Sequence, residues 1–315
     1  MVWLLGALGL VILLLSGDAL VKGAVNLSLR VGVPALIVSL TIVAFGTSAP
    51  ELLIAITAAL EGVPGLAMGN VVGSNTANIL LVLGVPALLA TMHTSECNSH
   101  KSYIQMIVAT GLFIVLSFWG VFTWISGLIL LGGLAFVLGQ AFLEARSHMT
   151  AGGSCDDLEE PEGADPDMPW WKIGLYIVLG ILGLPLGADL LLDSAITIAR
   201  IFHISEDVIG LTLIAVGTSL PELATTVMAA LRRQADVALG NVIGSNMFNL
   251  LAIIGVASLV SPIPVAPQFL VVDLWVMLAA SLLLIPFVFF RKDLTRPWGI
   301  ALTGLYIVYV VSALL

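Results

Sequence analysis

Residues 41 to 80, TIVAFGTSAPELLIAITAALEGVPGLAMGNVVGSNTANIL, recur without a gap as residues 212 to 251, TLIAVGTSLPELATTVMAALRRQADVALGNVIGSNMFNLL. The offset is constant at 171, and 20 of the 40 positions are identical. The same offset carries Asp18 onto Asp189, so the likeness reaches back through the preceding apolar run. A duplication this long restricts the chain to folds assembled from two equivalent halves.

What each half is made of follows from hydropathy. Of the 315 residues, 59% are hydrophobic and only 10% charged, and the mean hydropathy is +1.12. Soluble domains do not have that composition. The charges fall in short clusters between apolar runs of about 20 residues, the length that crosses roughly 30 Å of hydrocarbon as a helix. Ten spans are predicted, about 2 to 22, 33 to 60, 66 to 90, 103 to 119, 123 to 143, 171 to 198, 206 to 231, 237 to 260, 268 to 290 and 297 to 315. The first is expected to stay in the mature chain, because MVWLLG has no positive n-region and no small-residue cleavage site closes its apolar run.

The expected fold class is therefore an all-α polytopic membrane protein. It divides into a first five-helix repeat at 1–143, an acidic linker at 144–170 and a second five-helix repeat at 171–315. An odd number of spans per half makes the second half enter the membrane upside down. Inverted repeats with broken helices at the midplane are the architecture of many secondary transporters.

Ten spans put both termini on one side. Lys22, Arg30, Lys101, Arg146, Lys172, Arg232, Arg233, Arg291, Lys292 and Arg296 then share one face, leaving Arg200 alone on the other. By the positive-inside rule the basic face is cytoplasmic and both termini are outside. Trp3, Trp119, Trp124, Trp170, Trp171, Trp275 and Trp298 all lie near span ends, where indoles prefer the interface. The net charge of -9 implies no basic partner and no nucleic acid, since much of the acid sits in CDDLEEPEGADPDMP, residues 155 to 169, which reads as a solvated linker without EF-hand spacing. Cys97 and Cys155 are expected to be reduced, and His93, His100, His148 and His203 read as loop residues at spacings unrelated to metal binding. No cofactor and no obligate protein partner is indicated; the partners expected are inorganic cations and the lipid bilayer.

The repeat motif places a carboxylic acid inside each of two membrane spans, Glu51 in GTSAPE and Glu222 in GTSLPE. An ionised carboxylate at mid-depth costs at least ~2.5 to 3.5 kcal/mol, so it persists only when paired, coordinated or facing water. Pseudo-twofold symmetry brings the two acids together, and no basic residue lies deep in a span to neutralise them. Protons or bound cations are left as compensation. Pro50 lacks the N–H that the Gly46 carbonyl would accept, as Pro221 does for Gly217, which predicts broken helices with loose carbonyls. Thr47, Ser48, Thr218 and Ser219 add hydroxyls; Ser74, Asn75, Asn78, Ser245, Asn246 and Asn249 add more oxygen; Gly69, Gly73, Gly240 and Gly244 allow close helix approach. Hydroxyls in membrane helices also commonly bond their own i−4 carbonyl, and Asp18 lies one turn from Lys22 and can pair with it. Carboxylates, carbonyls, hydroxyls and amides without histidine or thiol form a hard-ligand set suited to Ca²⁺ or Na⁺.

The paired GTS.PE and GN..GSN..N motifs resemble the alpha repeats of the sodium/calcium exchanger family, in the cation/calcium antiporter superfamily, in a prokaryotic form without a large regulatory loop. The resemblance spans the ten-helix layout and implies a secondary antiporter exchanging Ca²⁺ for Na⁺ by alternating access. It also implies four adjacent ion sites. Glu51 and Glu222 would be shared central ligands, with Thr47 and Thr218 beside them for calcium. Ser48, Ser74, Ser219 and Ser245, with main-chain oxygens of Ala44 and Ala215, would complete the outer and inner sodium sites, and Asn78 and Asn249 would supply the middle one. Some members carry aspartate where this chain has Asn249. Two carboxylates balance one Ca²⁺ or about two monovalent ions, so stoichiometry, and Na⁺ against H⁺ coupling, stay open; the proton-coupled branch typically has a further acid in its second motif, which favours sodium here.

A cation channel would share the polar midplane but is usually built from symmetric subunits, and an intramembrane hydrolase could use paired carboxylates as acid and base. The inverted duplication favours a transporter of a prokaryotic plasma membrane, with the first and sixth spans, poorest in midplane ligands, as moving elements. A cysteine placed near Glu160 should be labelled only from the cytoplasm, and one near Pro264 only from outside. Labelling of both from one side would remove the inverted repeat.

Overall fold

The computed structural model describes residues 2–150, 164–165, 167–203, 213 and 215–314, and these are almost entirely helical. The helices are α1 (Val2–Val31), α2 (Ala35–Thr47), α3 (Ala49–Leu60), α4 (Pro64–Leu89), α5 (His100–Ser117), α6 (Trp124–Thr150), α7 (Trp170–Ile201), α8 (Ala215–Gly217), α9 (Leu220–Leu231), α10 (Ala235–Val260), α11 (Phe269–Phe289) and α12 (Arg296–Leu314). Six of them are long and apolar enough to cross a membrane, or seven spans if the bent pair α2 and α3 is taken as one. The span expected from 206 begins outside the described residues and emerges as the short α8 and α9. Hydropathy located the membrane segments but not every helix end. The linker was expected from residue 144, and α6 continues to Thr150, its polar last turns staying helical beyond the apolar run, with Glu144 2.6 Å from Lys101 of α5.

Wide π-type turns interrupt the helices at Ser39–Val43, Asn78–Val82, Phe248–Ile253 and Phe269–Asp273. Those in α4 and α10 fall at repeat-equivalent places. Segments of this kind are rare in soluble and membrane helices alike and gather at functional sites.

Glycine sets how the helices meet. On α1 and α7, a Cβ at Gly9 would lie 2.7 Å from the Leu191 nitrogen, one at Gly187 2.6 Å from the Leu13 nitrogen, and one at Gly180 2.5 Å from the Leu20 Cβ. Early residues of α1 thus meet late residues of α7, so the two run antiparallel with their backbones in contact. Elsewhere Gly84 of α4 meets Thr303 of α12, and Gly255 of α10 meets Leu131 of α6. The offset of 171 converts the first pair into Gly255 and Gly132, one residue from the contact observed. Gly240 and Gly244 accept the backbone of α2, at Leu36 and Leu40, whereas Gly69 and Gly73 have no neighbour of this kind among the described residues.

Two small β contacts tie the loops. Strand β1 (Val121–Phe122) pairs antiparallel with β2 (Ile263–Pro264), and Met92 bridges Leu294. The second contact is reinforced by Thr94 donating to the Lys292 carbonyl at 2.8 Å and by Asp293, which accepts from the Ser95 N–H at 3.1 Å and lies 3.1 Å from His93 Nδ1. Burial works against the Asp293 carboxylate, but the bonds from Ser95 and His93 outweigh it and hold its pKa below the usual range. Burial pushes the Cys97 thiol well up, with Asp236 adding to it, which fits an unreactive free cysteine; Cys155 lies outside the described residues. His100 and His148 correct the expectation of four loop histidines: they sit in the first turn of α5 and the last turns of α6. Asp18 pairs with Lys22 at 2.9 Å, as its spacing predicted, and also with Arg232 just beyond α9, which the sequence did not reveal. Arg30 lies 5.7 Å from the centre of the Trp170 ring.

Gly187→Val forces a branched side chain into the α1 backbone and should lower stability by about 1–3 kcal/mol or more. Gly139→Val, at an exposed α6 position with no neighbour within 4 Å, should leave it nearly unchanged. Thermal unfolding of the two variants in detergent checks this, and equal losses would mean that the α1–α7 contact is not tight.

Candidate functional site

The proline of each GTS.PE motif does what its missing N–H dictates. The helix ends at Thr47, Ser48 leaves the helical range at φ −85°, ψ 2°, and α3 restarts with Pro50 in its first turn, bent by 45°. The second copy repeats the geometry, with Ser219 at φ −91°, ψ 6° between α8 and α9. Each glutamate is consequently the third residue of a new helix. The free N–H groups and the dipole at a helix N-terminus favour an anion there.

Glu51 and Glu222 are 1% and 0% exposed and lie close enough to interact directly. Ser48 donates to Glu222 Oε1 at 3.4 Å, while both oxygens of Glu51 and Oε2 of Glu222 have no hydrogen-bond partner. Further buried polar atoms of the motif segments are in the same condition: Ser74 Oγ, Ser219 Oγ, Asn78 Oδ1, and the Oδ1 and Nδ2 atoms of Asn75 and Asn249. Buried polar atoms are rarely left unpaired in native proteins. Hydroxyl, amide and carboxylate oxygens of this kind are hard donors suited to a hard cation.

The remaining expected site residues divide. Thr47 is fully buried, with its hydroxyl 3.3 Å from the Ala44 carbonyl, 3.3 Å from Ser245 Oγ and 3.2 Å from Asn241 Oδ1. Ala44 is buried, and its carbonyl also accepts from the Ser48 N–H at 3.0 Å. Asn78 donates to Asn246 Oδ1 at 3.0 Å, joining the two halves through their amides. Thr218 is half-buried, and Ala215 opens the short α8. Among the described residues no group of three or more His, Cys, Asp and Glu side chains is placed to hold a metal, so a cation here must rely on hydroxyl, amide and carbonyl oxygens beside the two acids. Three residues the sequence reading passed over stand in the same shell: Asn70, which donates to the Glu51 carbonyl at 3.5 Å, Asn241, which donates to that of Glu222 at 3.4 Å, and Thr226. The signal was present, since Asn70 and Asn241 are identical at the 171 offset.

An all-helical membrane protein with paired buried carboxylates at two helix breaks belongs to the class of ion-handling integral membrane proteins. Comparison with known proteins narrows the class. Residues 1–142 and 172–315 match the family described as sodium/calcium exchanger protein, and the chain belongs to that family. It is 33% identical over 341 residues to the sodium/calcium exchanger MaX1 of Methanosarcina acetivorans, covering 96% of each chain. It is 34% identical over 309 residues to inner membrane protein YrbG of Escherichia coli, covering 96% of this chain and 93% of that one. Among solved structures it is similar to the sodium-calcium exchanger NCX_Mj soaked with 10 mM Na⁺ and zero Ca²⁺, with a TM-score of 0.80, 32% identity and 99% of each chain covered. The family is one of exchangers and not of enzymes.

Removing one carboxylate charge, by Glu51→Gln or Glu222→Gln, should abolish Ca²⁺ binding by the detergent-solubilised protein in titration calorimetry. Without divalent ions the same variants should unfold at an equal or higher temperature, because each removes a buried charge facing another. Binding within twofold of the unsubstituted protein by either variant would take that carboxylate out of the site.

Proposed function

We propose that the protein is a secondary active antiporter exchanging Ca²⁺ for Na⁺ across a prokaryotic inner membrane, with both ions competing for one midplane site around Glu51 and Glu222. The observation that carries this reading is the meeting of two unpaired buried carboxylates at matching helix breaks, lined by unpartnered hydroxyl and amide oxygens. Two carboxylates carry a formal charge of −2, which one Ca²⁺ or two Na⁺ neutralise. Each ion set makes the cluster tolerable in a low-dielectric interior, and an empty cluster is costly, so the site favours exchange over release without replacement. Thr47, Ser48, Ser74, Asn78 and their counterparts Thr218, Ser219, Ser245 and Asn249 complete the coordination, with the carbonyls of Ala44 and Ala215.

The alternation follows from ten spans in two inverted five-helix halves, 1–143 and the part from 171, joined by a cytoplasmic acidic linker, with both termini outside. Support comes from the antiparallel contact of the equivalent helices α1 and α7, and from the match, to within one residue, of Gly84–Thr303 with Gly255–Leu131 under the repeat offset. The close backbone contact between α1 and α7 suits the two to move as one unit past the ion-holding helices. MaX1 and NCX_Mj carry sodium and calcium in their names, which supports sodium over protons as the coupling ion.

Purified protein in vesicles loaded with Na⁺ should take up Ca²⁺ in a saturable manner, and uptake should cease when Na⁺ is equal on both sides. Uptake driven by a pH gradient and indifferent to Na⁺ would replace sodium by protons, and non-saturating currents would make the protein a channel.

A further inference from the structure

Asn241 is fully buried on α10, belongs to none of the expected ligand positions, and bonds three residues on two other helices. Its Nδ2 group donates to the Glu222 carbonyl at 3.4 Å and to Thr226 Oγ1 at 3.2 Å, both on α9. Its Oδ1 receives the Thr47 hydroxyl of α2 at 3.2 Å. One side chain therefore links the ligand-bearing break of the first half to the glutamate-bearing helix of the second.

We propose that Asn241 is a positioning residue that turns Thr47 into a calcium ligand by accepting the hydrogen bond of its hydroxyl; this rests on the site reading above. A threonine hydroxyl has one proton and two lone pairs, and only a lone pair can face a cation. Within reach of Thr47 stand the Ala44 carbonyl at 3.3 Å, Ser245 Oγ at 3.3 Å, Asn241 Oδ1 at 3.2 Å and the Glu222 carboxylate, whose oxygens a bound cation occupies. An amide cannot exchange its donor and acceptor ends when its nitrogen is held by two acceptors. With Nδ2 anchored on Glu222 and Thr226, the Asn241 oxygen must point at Thr47, and it can only accept. With a cation held by the carboxylates, the Thr47 hydroxyl donates to Asn241 and its lone pairs turn towards that cation. Asn241 thereby couples the Thr47 hydroxyl to the placement of Glu222.

The test is Na⁺-driven Ca²⁺ uptake into proteoliposomes, measured against Ca²⁺ concentration for Asn241→Leu, Thr47→Val, the double variant and Glu51→Gln. Asn241→Leu should raise the half-saturating Ca²⁺ concentration about fivefold, the worth of one neutral hydrogen bond, with half-saturating Na⁺ changed far less. In the Thr47→Val background it should add nothing, because the hydroxyl through which it acts is gone. Full additivity in the double variant, or equal weakening of Na⁺ and Ca²⁺, would show a merely structural role and overturn the proposal. If Asn241→Leu yields no folded protein, Thr226→Val decides: it removes one anchor of the amide and should raise half-saturating Ca²⁺ about threefold, with Na⁺ little affected. An unchanged value overturns the assignment. Glu51→Gln separates the two levels. Uptake that persists in it refutes the site itself, whereas lost uptake with additive Asn241 and Thr47 effects refutes only the role of Asn241.

Discussion

Two carboxylates buried against each other at the first turns of two broken helices are the constraint on which the rest depends. Like charges in a low-dielectric interior repel, and an isolated one is already expensive. The chain tolerates them because each sits at a helix N-terminus, among oxygens free to share a cation, and inside a shell that keeps lipid away. Every neighbouring feature serves that placement. Pro50 and Pro221 make the breaks, Ser48 and Ser219 carry the non-helical backbone, and Gly240 and Gly244 let α10 come against α2 so that Ser245 and Asn241 reach Thr47.

The helix breaks and the two glutamates were legible from residues alone, because proline chemistry is local and a duplicated acid in an apolar run has few structural explanations. The glycine contacts were legible at Gly240 and Gly244, where composition said that close approach is permitted; the repeat-equivalent backbone partners of Gly69 and Gly73 fall outside the described residues. Hydropathy misplaced the end of α6, since it reports where a chain leaves the membrane and not where its backbone stops hydrogen-bonding to itself. The pairing of Asp18 with Arg232 needed three dimensions, because 214 residues separate partners whose only sequence cue was the nearer Lys22. Asn241 escaped for another reason: an amide beside a motif of amides looks like a ligand or like helix glue, and its orienting role exists only in the directions of its three bonds.

A shared amide and hydroxyl layer also explains how two halves with 20 of 40 motif positions alike can hold an ion together. Asn78 and Asn246 bond each other across the halves at 3.0 Å, and Asn246 faces the Asn75 carbonyl at 3.5 Å. Neither half has a complete set of partners alone. The polar layer is therefore a reason for the halves to fold against each other, and not only a lining for what lies between them.

The wide turns at Asn78–Val82 and Phe248–Ile253 carry a consequence for how such a chain can vary. Each π-type turn holds one residue more than an α-turn would. Deleting a single residue there lets the turn close to its ordinary pitch while the helix beyond keeps its facing, whereas the same deletion in a regular α-helical stretch rotates everything beyond by about 100°. In α4 that rotation takes Gly84 off Thr303; in α10 it takes Gly255 off Leu131. Because a wide turn stands at the matching place in both halves, the offset of 171 carries through it, and a one-residue length change in these helices is absorbed there or in the loops between them.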